Sequence, residues 1–169
     1  MISVDENLLK LSHGMYVVSS FSEEKINGQI ANTVFQVTSK PPRIATAINK
    51  DNFTHGLIDN SGLFSVCILE KDTPMDLINL FGFNSGGNRN KFEGIDYRKL
   101  DNGLPVLKKN CLSFLVAKVF KRIDVGTHTI FVGNLEKSEK IKEGEPMDYS
   151  YYRKMKGGAT PVTAPTFQN

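Results

Sequence analysis

Cysteine is scarce in this 169-residue chain. Cys67 and Cys111 each sit inside an apolar run, and no Cys-x-x-Cys pair exists. Metal-thiolate centres and thioredoxin-like exchange therefore lack their ligands. Two buried free thiols are expected, with a disulfide open only if the two strands are neighbours. Histidine is as sparse. His13, His55 and His128 show no His-x-His or His-x-x-x-His spacing and support no Ser-His-Asp order, so neither a histidine metal site nor a hydrolytic triad is indicated. Gly-x-Gly-x-x-Gly and the Gly-Lys-Ser/Thr P-loop are also missing, which removes the known dinucleotide and triphosphate signatures. No apolar run approaches the ~20 residues that cross a bilayer. The start, MISVDENLLKLS, carries acids and no apolar core, unlike a signal peptide. A cytoplasmic protein without membrane contact is expected. Charge is not massed either. The net charge is +3 and the pI near 8.8, with no basic stripe interleaved with aromatics, so no nucleic-acid partner is expected. Mild basicity suits an anionic ligand.

What the chain does contain is short strands at close spacing. MYVVSSFSEE is rich in β-branched and aromatic residues, and Asn27-Gly28 after it is a hairpin-turn signal. Ile30–Thr38 reads as a strand of imperfect alternation, ended by Pro41-Pro42 because proline cannot donate to a ladder. RIATAI, Gly62–Leu69, Cys111–Phe120 and His128–Leu135 read as further strands, the last two as an antiparallel pair around Asp124-Val125-Gly126. Short helices are expected at Val4–Leu11, at Thr54–Asn60 with Asn52 or Thr54 as N-cap, and after the N-cap Thr73. Tyr97–Pro105 reads as loop. Six or more strands with few helices favour an antiparallel barrel or sandwich over a doubly wound α/β fold.

Three stretches could carry chemistry. Asn32, Thr33, Gln36 and Thr38 set donors and acceptors along one strand. Spacing alone favours a solvent-facing sheet surface; a ligand-facing strand for a flat ring is the alternative. Asn49-Lys50-Asp51-Asn52-Phe53-Thr54-His55 opens a helix, where free N–H groups accept phosphate, although simple capping explains the same residues. The loop from Phe81 to Phe92 holds three glycines and ends in Asn88-Arg89-Asn90-Lys91, and reads equally as a cover for a ligand or as solvated surface. His128, alone at a hairpin, reads as structural.

Taken together, GQIANTVFQVTSKPP, AINKDNFTH, FGFNSGGNRNKF and GTHTIFVGNL resemble the flavin reductase-like family, in particular flavoredoxins, archaeal ferric reductases and the flavin domain of high-molecular-weight rubredoxins. The resemblance implies a mainly β, antiparallel Greek-key split β-barrel with a few short helices over residues 1–148. Residues 149–169 resemble the tail that joins this domain to a rubredoxin, here without the rubredoxin's Cys-x-x-Cys. It implies FMN, with Asn32, Thr33, Val34, Gln36 and Thr38 at the ring and ribityl chain. Asn49, Lys50, Asn52 and Thr54 would lie near the ribityl chain and phosphate. Phe81 and Lys91 belong to the loop that closes over the cofactor. His128 matches the histidine of a Gly-Asp-His-Thr pattern at the nicotinamide side, with Thr127 standing where the family has aspartate. The implied protein is a homodimer with one FMN per subunit at the interface. It would move electrons from NADH, NADPH or a redox protein to free flavin, ferric iron or a separate rubredoxin or ferredoxin. A pure FMN electron carrier without turnover of its own is the alternative.

Overall fold

The described residues form nine strands and three α-helices, more than the alternation predicts. The computed structural model describes residues 6–167. The strands are β1 (Tyr16–Phe21), β2 (Ile26–Ala31), β3 (Val34–Ser39), β4 (Pro42–Asn49), β5 (Leu63–Leu69), β6 (Tyr97–Lys99), β7 (Pro105–Leu107), β8 (Cys111–Asp124) and β9 (His128–Lys140). The helices are α1 (Phe53–Ser61), α2 (Met75–Phe83) and α3 (Tyr149–Met155). The expected helix at Val4–Leu11 starts outside the described residues; Glu6–Lys10 is a 3-10 helix.

Seven strands pair antiparallel in the order β2-β1-β5-β8-β9-β4-β3. β2 and β3 are thus the two edges, yet only Asn32 and Thr33 separate them in sequence. In a flat sheet the edges would stand about 29 Å apart. Two residues bridge roughly 10 Å. The sheet must therefore curl until its edges meet, with a seam left unpaired between β2 and β3. That is a split barrel, as the resemblance implied. Near the seam the Ala47 N–H donates to Thr33 O at 3.3 Å.

Two apolar clusters fill the fold. One gathers Met15, Cys67, Leu69, Phe81, Phe92, Leu104, Phe114 and Tyr152; the other gathers Val18, Ile44, Ile48, Ile58, Phe64, Val66 and Phe131. Each large side chain so buried contributes roughly 1.5–3 kcal/mol. Leu57 and Ile58 of α1 share a buried face with Thr54, which is why this short helix holds its place and aims its N-terminus inward. Cys67 and Cys111 are free and buried. A hydrogen bond with Cys111 and burial push the Cys67 thiol well up, so it is held as an unreactive thiol.

Three local expectations change. Asn27-Gly28 lies inside β2, and the turn falls earlier, where the Ser22 N–H donates to Lys25 O at 2.7 Å. Gly28 serves close packing: a Cβ there would lie 2.5 Å from Ser19 Oγ and 3.3 Å from the Phe81 ring. Tyr97–Pro105 contributes β6 and the start of β7, closed by a turn with Gly103 at φ 93°. Pro74, rather than Thr73, is the N-cap residue of α2, and the Thr73 hydroxyl instead donates back to Glu70 O at 2.6 Å.

Candidate functional site

A cavity of about 520 Å³ opens beside the seam, between β2, the β4–α1 turn, α2 with its following loop, and the C-terminal segment. Small-molecule and cofactor pockets span roughly 300–1,000 Å³.

The β2 wall is polar where a core strand would be apolar. Residues two apart share a strand face, so Asn27 and Gln29 both line the cavity. Asn27 Nδ2 donates to Thr54 Oγ1 at 2.8 Å, tying β2 to the first turn of α1. Asn27 Oδ1 and Gln29 Oε1 are buried and have no hydrogen-bond partner among the described residues. A buried acceptor left without a donor costs about 1–3 kcal/mol. Both belong to residues that line the cavity, although each oxygen has essentially no exposed surface of its own.

The β4–α1 turn closes one end. Asn49 Oδ1 accepts the Asp51 N–H at 2.9 Å, and the Asn52 N–H donates to Asn49 O at 3.1 Å. Asn52 is the N-cap of α1, but its side chain makes no capping bond, and the first turn carries no acid. The His55 N–H donates to Asn52 O at 2.9 Å, and the Phe53 and Thr54 N–H groups with the positive end of the helix dipole suit an external acceptor. Lys50 does not join them. Its ammonium pairs with Asp124 at 2.7 Å on the exposed β8–β9 hairpin and holds that carboxyl below the usual range.

The third wall is α2 and the glycine-rich loop. Phe81 and Gly82 come from the helix, Ser85 and Gly86 from the loop. A Cβ on Gly86 would lie 2.1 Å from Asn27 Oδ1, so glycine allows the loop backbone to approach the amide. Lys91 also lines this wall and is 3 % exposed. Its Nζ donates to Gly28 O at 2.9 Å and to Phe81 O at 3.2 Å, and no carboxylate pairs with it among the described residues. An ammonium has three donors, so one remains. Burial pulls its pKa down to about 8.

The C-terminal segment forms the last side. Tyr149 and Tyr152 of α3 line the cavity together with Ala159–Pro165. His128 stands opposite Asn49 in the β4–β9 register. Its Nε2 lies 3.0 Å from Thr163 O. A carbonyl oxygen only accepts, so Nε2 carries a proton, and Nδ1 lies 2.8 Å from the Thr127 hydroxyl. Asn32 Nδ2 donates to Thr166 Oγ1 at 2.5 Å.

Of the residues expected from the sequence, Asn32, Asn49, Asn52, Thr54, Phe81 and Lys91 meet at this cavity. Thr33 lines a second one, beside the 3-10 helix and α3. Val34, Gln36, Thr38, Lys50 and His128 line neither. Gln36 Nε2 donates to Thr38 O at 3.2 Å, and Thr38 Oγ1 to Pro41 O at 2.6 Å, as befits an edge strand turned outward. Asn27 and Gln29 were not anticipated. The signal for them was present as two amides at strand spacing between Ile26 and Ile30.

An open antiparallel barrel with a cavity of this kind is the fold of flavin reductases and FMN-binding proteins. The chain superposes with a TM-score of 0.73 on a flavoredoxin from Methanosarcina acetivorans, at 21% identity over 86% of this chain and 80% of that one. The flavin reductase HpaC, solved with NADP+, gives 0.73 at 22% identity over 86% and 93%. In sequence, the family model described as "Flavin reductase like domain" matches residues 8–159. The chain belongs to that family. It is 44% identical over 162 residues to a ferric-chelate reductase (NAD(P)H) of Archaeoglobus fulgidus, covering 96% of each. It is 45% identical over 157 residues to a high molecular weight rubredoxin of Moorella thermoacetica, covering 93% of this chain and 69% of the relative.

Proposed function

We propose that the cavity binds FMN and that the protein is an FMN-dependent oxidoreductase, taking electrons from NADH or NADPH and delivering them to free flavin, ferric iron or a small redox protein. One observation carries the reading: a cavity lined by the amide side chains of Asn27 and Gln29 and by Lys91, whose buried ammonium has no carboxylate partner among the described residues, ends at a helix N-terminus that no side chain caps. A flavin's pyrimidine edge offers an N–H for such acceptors and carbonyl oxygens for the spare Lys91 donor. A phosphate suits the first turn of α1. Bound FMN supplies the hydride and electron transfer. The chain's own part is to orient the ring between β2 and α2 and to hold positive charge at Lys91. The similar ferric-chelate reductase supports a ferric acceptor, and the similar rubredoxin supports a redox-protein partner.

A homodimer is part of the proposal. Phe35 and Val37 on β3, Phe120 and Ile123 on β8, and Val125 at the hairpin are large apolar residues left exposed on one protomer. They suit a self-complementary interface. In this reading the electron partner is a rubredoxin or ferredoxin. Among the described residues no helix is long and apolar enough to cross a membrane. A specific observation favours the second reading, a carrier without its own turnover. The His128 ring N–H is already engaged by Thr163 O.

The test is direct. Purified protein titrated with FMN should quench flavin fluorescence with a one-to-one endpoint per subunit; absence of binding sinks the reading. Anaerobic mixing with NADH or NADPH should then bleach the bound flavin, whereas reduction only by reduced rubredoxin or ferredoxin selects the carrier. Thr54→Ala removes the Asn27 partner and a hydroxyl at the phosphate end. FMN affinity should fall about tenfold, near one hydrogen bond. Unchanged affinity would leave Thr54 as a packing residue of α1.

A further inference from the structure

A second cavity lies between the 3-10 helix, α3 and the C-terminal segment. At about 1200 Å³ it is larger than a small-ligand pocket, which spans roughly 300–1,000 Å³. α3 forms one bank. Asp148 caps this helix by accepting the Tyr151 N–H at 2.6 Å, and Tyr149 and Tyr152 are its buried residues, stacked with ring centroids 5.8 Å apart. Arg153, Lys154 and Met155 are left exposed. The other bank is braced to the first by backbone: the Tyr149 N–H donates to His13 O at 2.8 Å, and the Met15 N–H to Met147 O at 3.1 Å. Leu8, Leu9 and Leu11 stand on that bank and, with Met155, are large apolar residues left exposed. Three cations line the groove, Lys10, Arg153 and Lys154, against one carboxylate, Asp148, which the helix cap already uses. Among the described residues none of the three cations enters an ion pair. Tyr149 and Pro165 line both cavities, so one layer of side chains separates this groove from the space proposed for FMN.

We propose that this groove is the docking surface for a small acidic redox protein, the electron partner of the reading above, from which the proposal takes its partner class. Apolar side chains set among charges of one sign make a transient contact: the charges steer and select, and the small apolar centre holds briefly. Methionine and arginine are enriched at such surfaces. The positive sign here calls for acids on the partner. The position of the groove decides what kind of acidic partner it takes. A protein seated there has only the layer of Tyr149 and Pro165 between itself and the first cavity. An electron crosses such a layer and a substrate molecule does not. Phe35, Phe120 and Ile123, proposed for the homodimer, do not line the groove.

Zinc-loaded rubredoxin, acidic and unable to exchange electrons, is the probe, titrated into the isotope-labelled full chain with FMN added. Resonance shifts should gather on residues 8–13 and 148–155 and spare the β8–β9 hairpin. Affinity should fall about fivefold between about 50 and about 300 mM salt, because the charges are exposed. Arg153→Gln with Lys154→Gln should weaken docking about tenfold, and Met155→Ser about threefold. Lys108→Gln with Lys109→Gln removes the same charge away from the groove and should change it less than about twofold. Cytochrome c, a basic redox protein, should not bind. FMN affinity should be equal in all these proteins, because none of the substituted residues lines the first cavity. Shifts on another face, equal losses from the two charge-removing pairs, or cytochrome c binding as tightly as rubredoxin overturns the docking surface. So does a change in sedimentation of the chain alone on Met155→Ser, which would make the groove a contact between two copies. The mapping on the unsubstituted chain decides if a variant does not fold. If FMN binds and rubredoxin does not dock here, this proposal falls alone. If rubredoxin docks here and the chain takes up no FMN, the docking surface stands and the FMN reading falls.

Discussion

Lys91→Met is expected to weaken FMN binding on the order of 100-fold, as read by fluorescence titration at neutral pH. A hydrogen bond to a charged group contributes about 1.5–3 kcal/mol, which is roughly 10- to 100-fold in affinity. Lys91 stands near the upper end because it is 3 % exposed and no carboxylate among the described residues screens it. The same burial places its proton loss in an accessible range, near pH 8. The charged form is what a flavin carbonyl or a reduced, anionic flavin would favour. FMN affinity of the parent protein should therefore fall as pH rises through about 8 and onward, and the Lys91→Met protein should show no such fall. Stability runs the other way. Native Lys91 releases its proton at lower pH than the unfolded chain, whose lysine titrates at 10.5. Between those values the unfolded state binds more protons, so this group's contribution to stability rises with pH. Opposite pH trends for binding and for stability would be the signature of this one residue. A pH-independent FMN affinity in the parent would reduce Lys91 to a bridge between Gly28 and Phe81.

Gly133→Val should produce the largest loss of stability away from the cavity. Gly133 lies in β9 opposite Ile44 and Val119. A Cβ there would stand 2.7 Å from the Ala117 Cβ and 3.0 Å from the Phe64 ring, both fully buried. Two further methyl groups have nowhere to go. Overpacking of this kind costs about 1–3 kcal/mol, and more where neighbours cannot yield. With about 2–4 °C per kcal/mol for a chain of this size, the midpoint should drop by roughly 2–12 °C. FMN affinity below the transition should hardly change, because the clash is in the second core cluster. A thermal scan showing a shift under about one degree would mean that β8 and β9 separate more easily than their pairing suggests.

Much of this architecture was readable because strands announce themselves by alternation, and the longest pair, β8 and β9, flanks a plain turn signal at Asp124–Gly126. The Asn27-Gly28 turn was misplaced for a physical reason. Asn-Gly is a strong local signal, but here Gly28 answers a tertiary demand, the closeness of Ser19 and Phe81. The site was half legible. Asn49, Asn52 and Thr54 follow from helix-start chemistry, which is local. Lys50 follows from the same logic, yet its partner Asp124 lies far along the chain and captures it. Asn27 and Gln29 become informative only once β2 is seen facing α1 and their oxygens are found without donors. His128 was singled out as a lone histidine, but that its ring N–H is taken by Thr163 depends on where an irregular tail comes to rest. No periodicity encodes that.

The two-residue passage from β2 to β3 has a consequence for how this protein responds to its ligand. β2 and β3 are each hydrogen-bonded to a neighbour on one side only, and the cavity opens beside their junction. Whatever occupies the cavity touches β2, the Asn32 linker and the β4–α1 turn at once, and so ties the free edge β2 to the end of β4. Cofactor and barrel closure are then a single thermodynamic event. Ligand should be felt in the hydrogen exchange of β2 and of the β4–α1 turn before it is felt in the interior of the sheet.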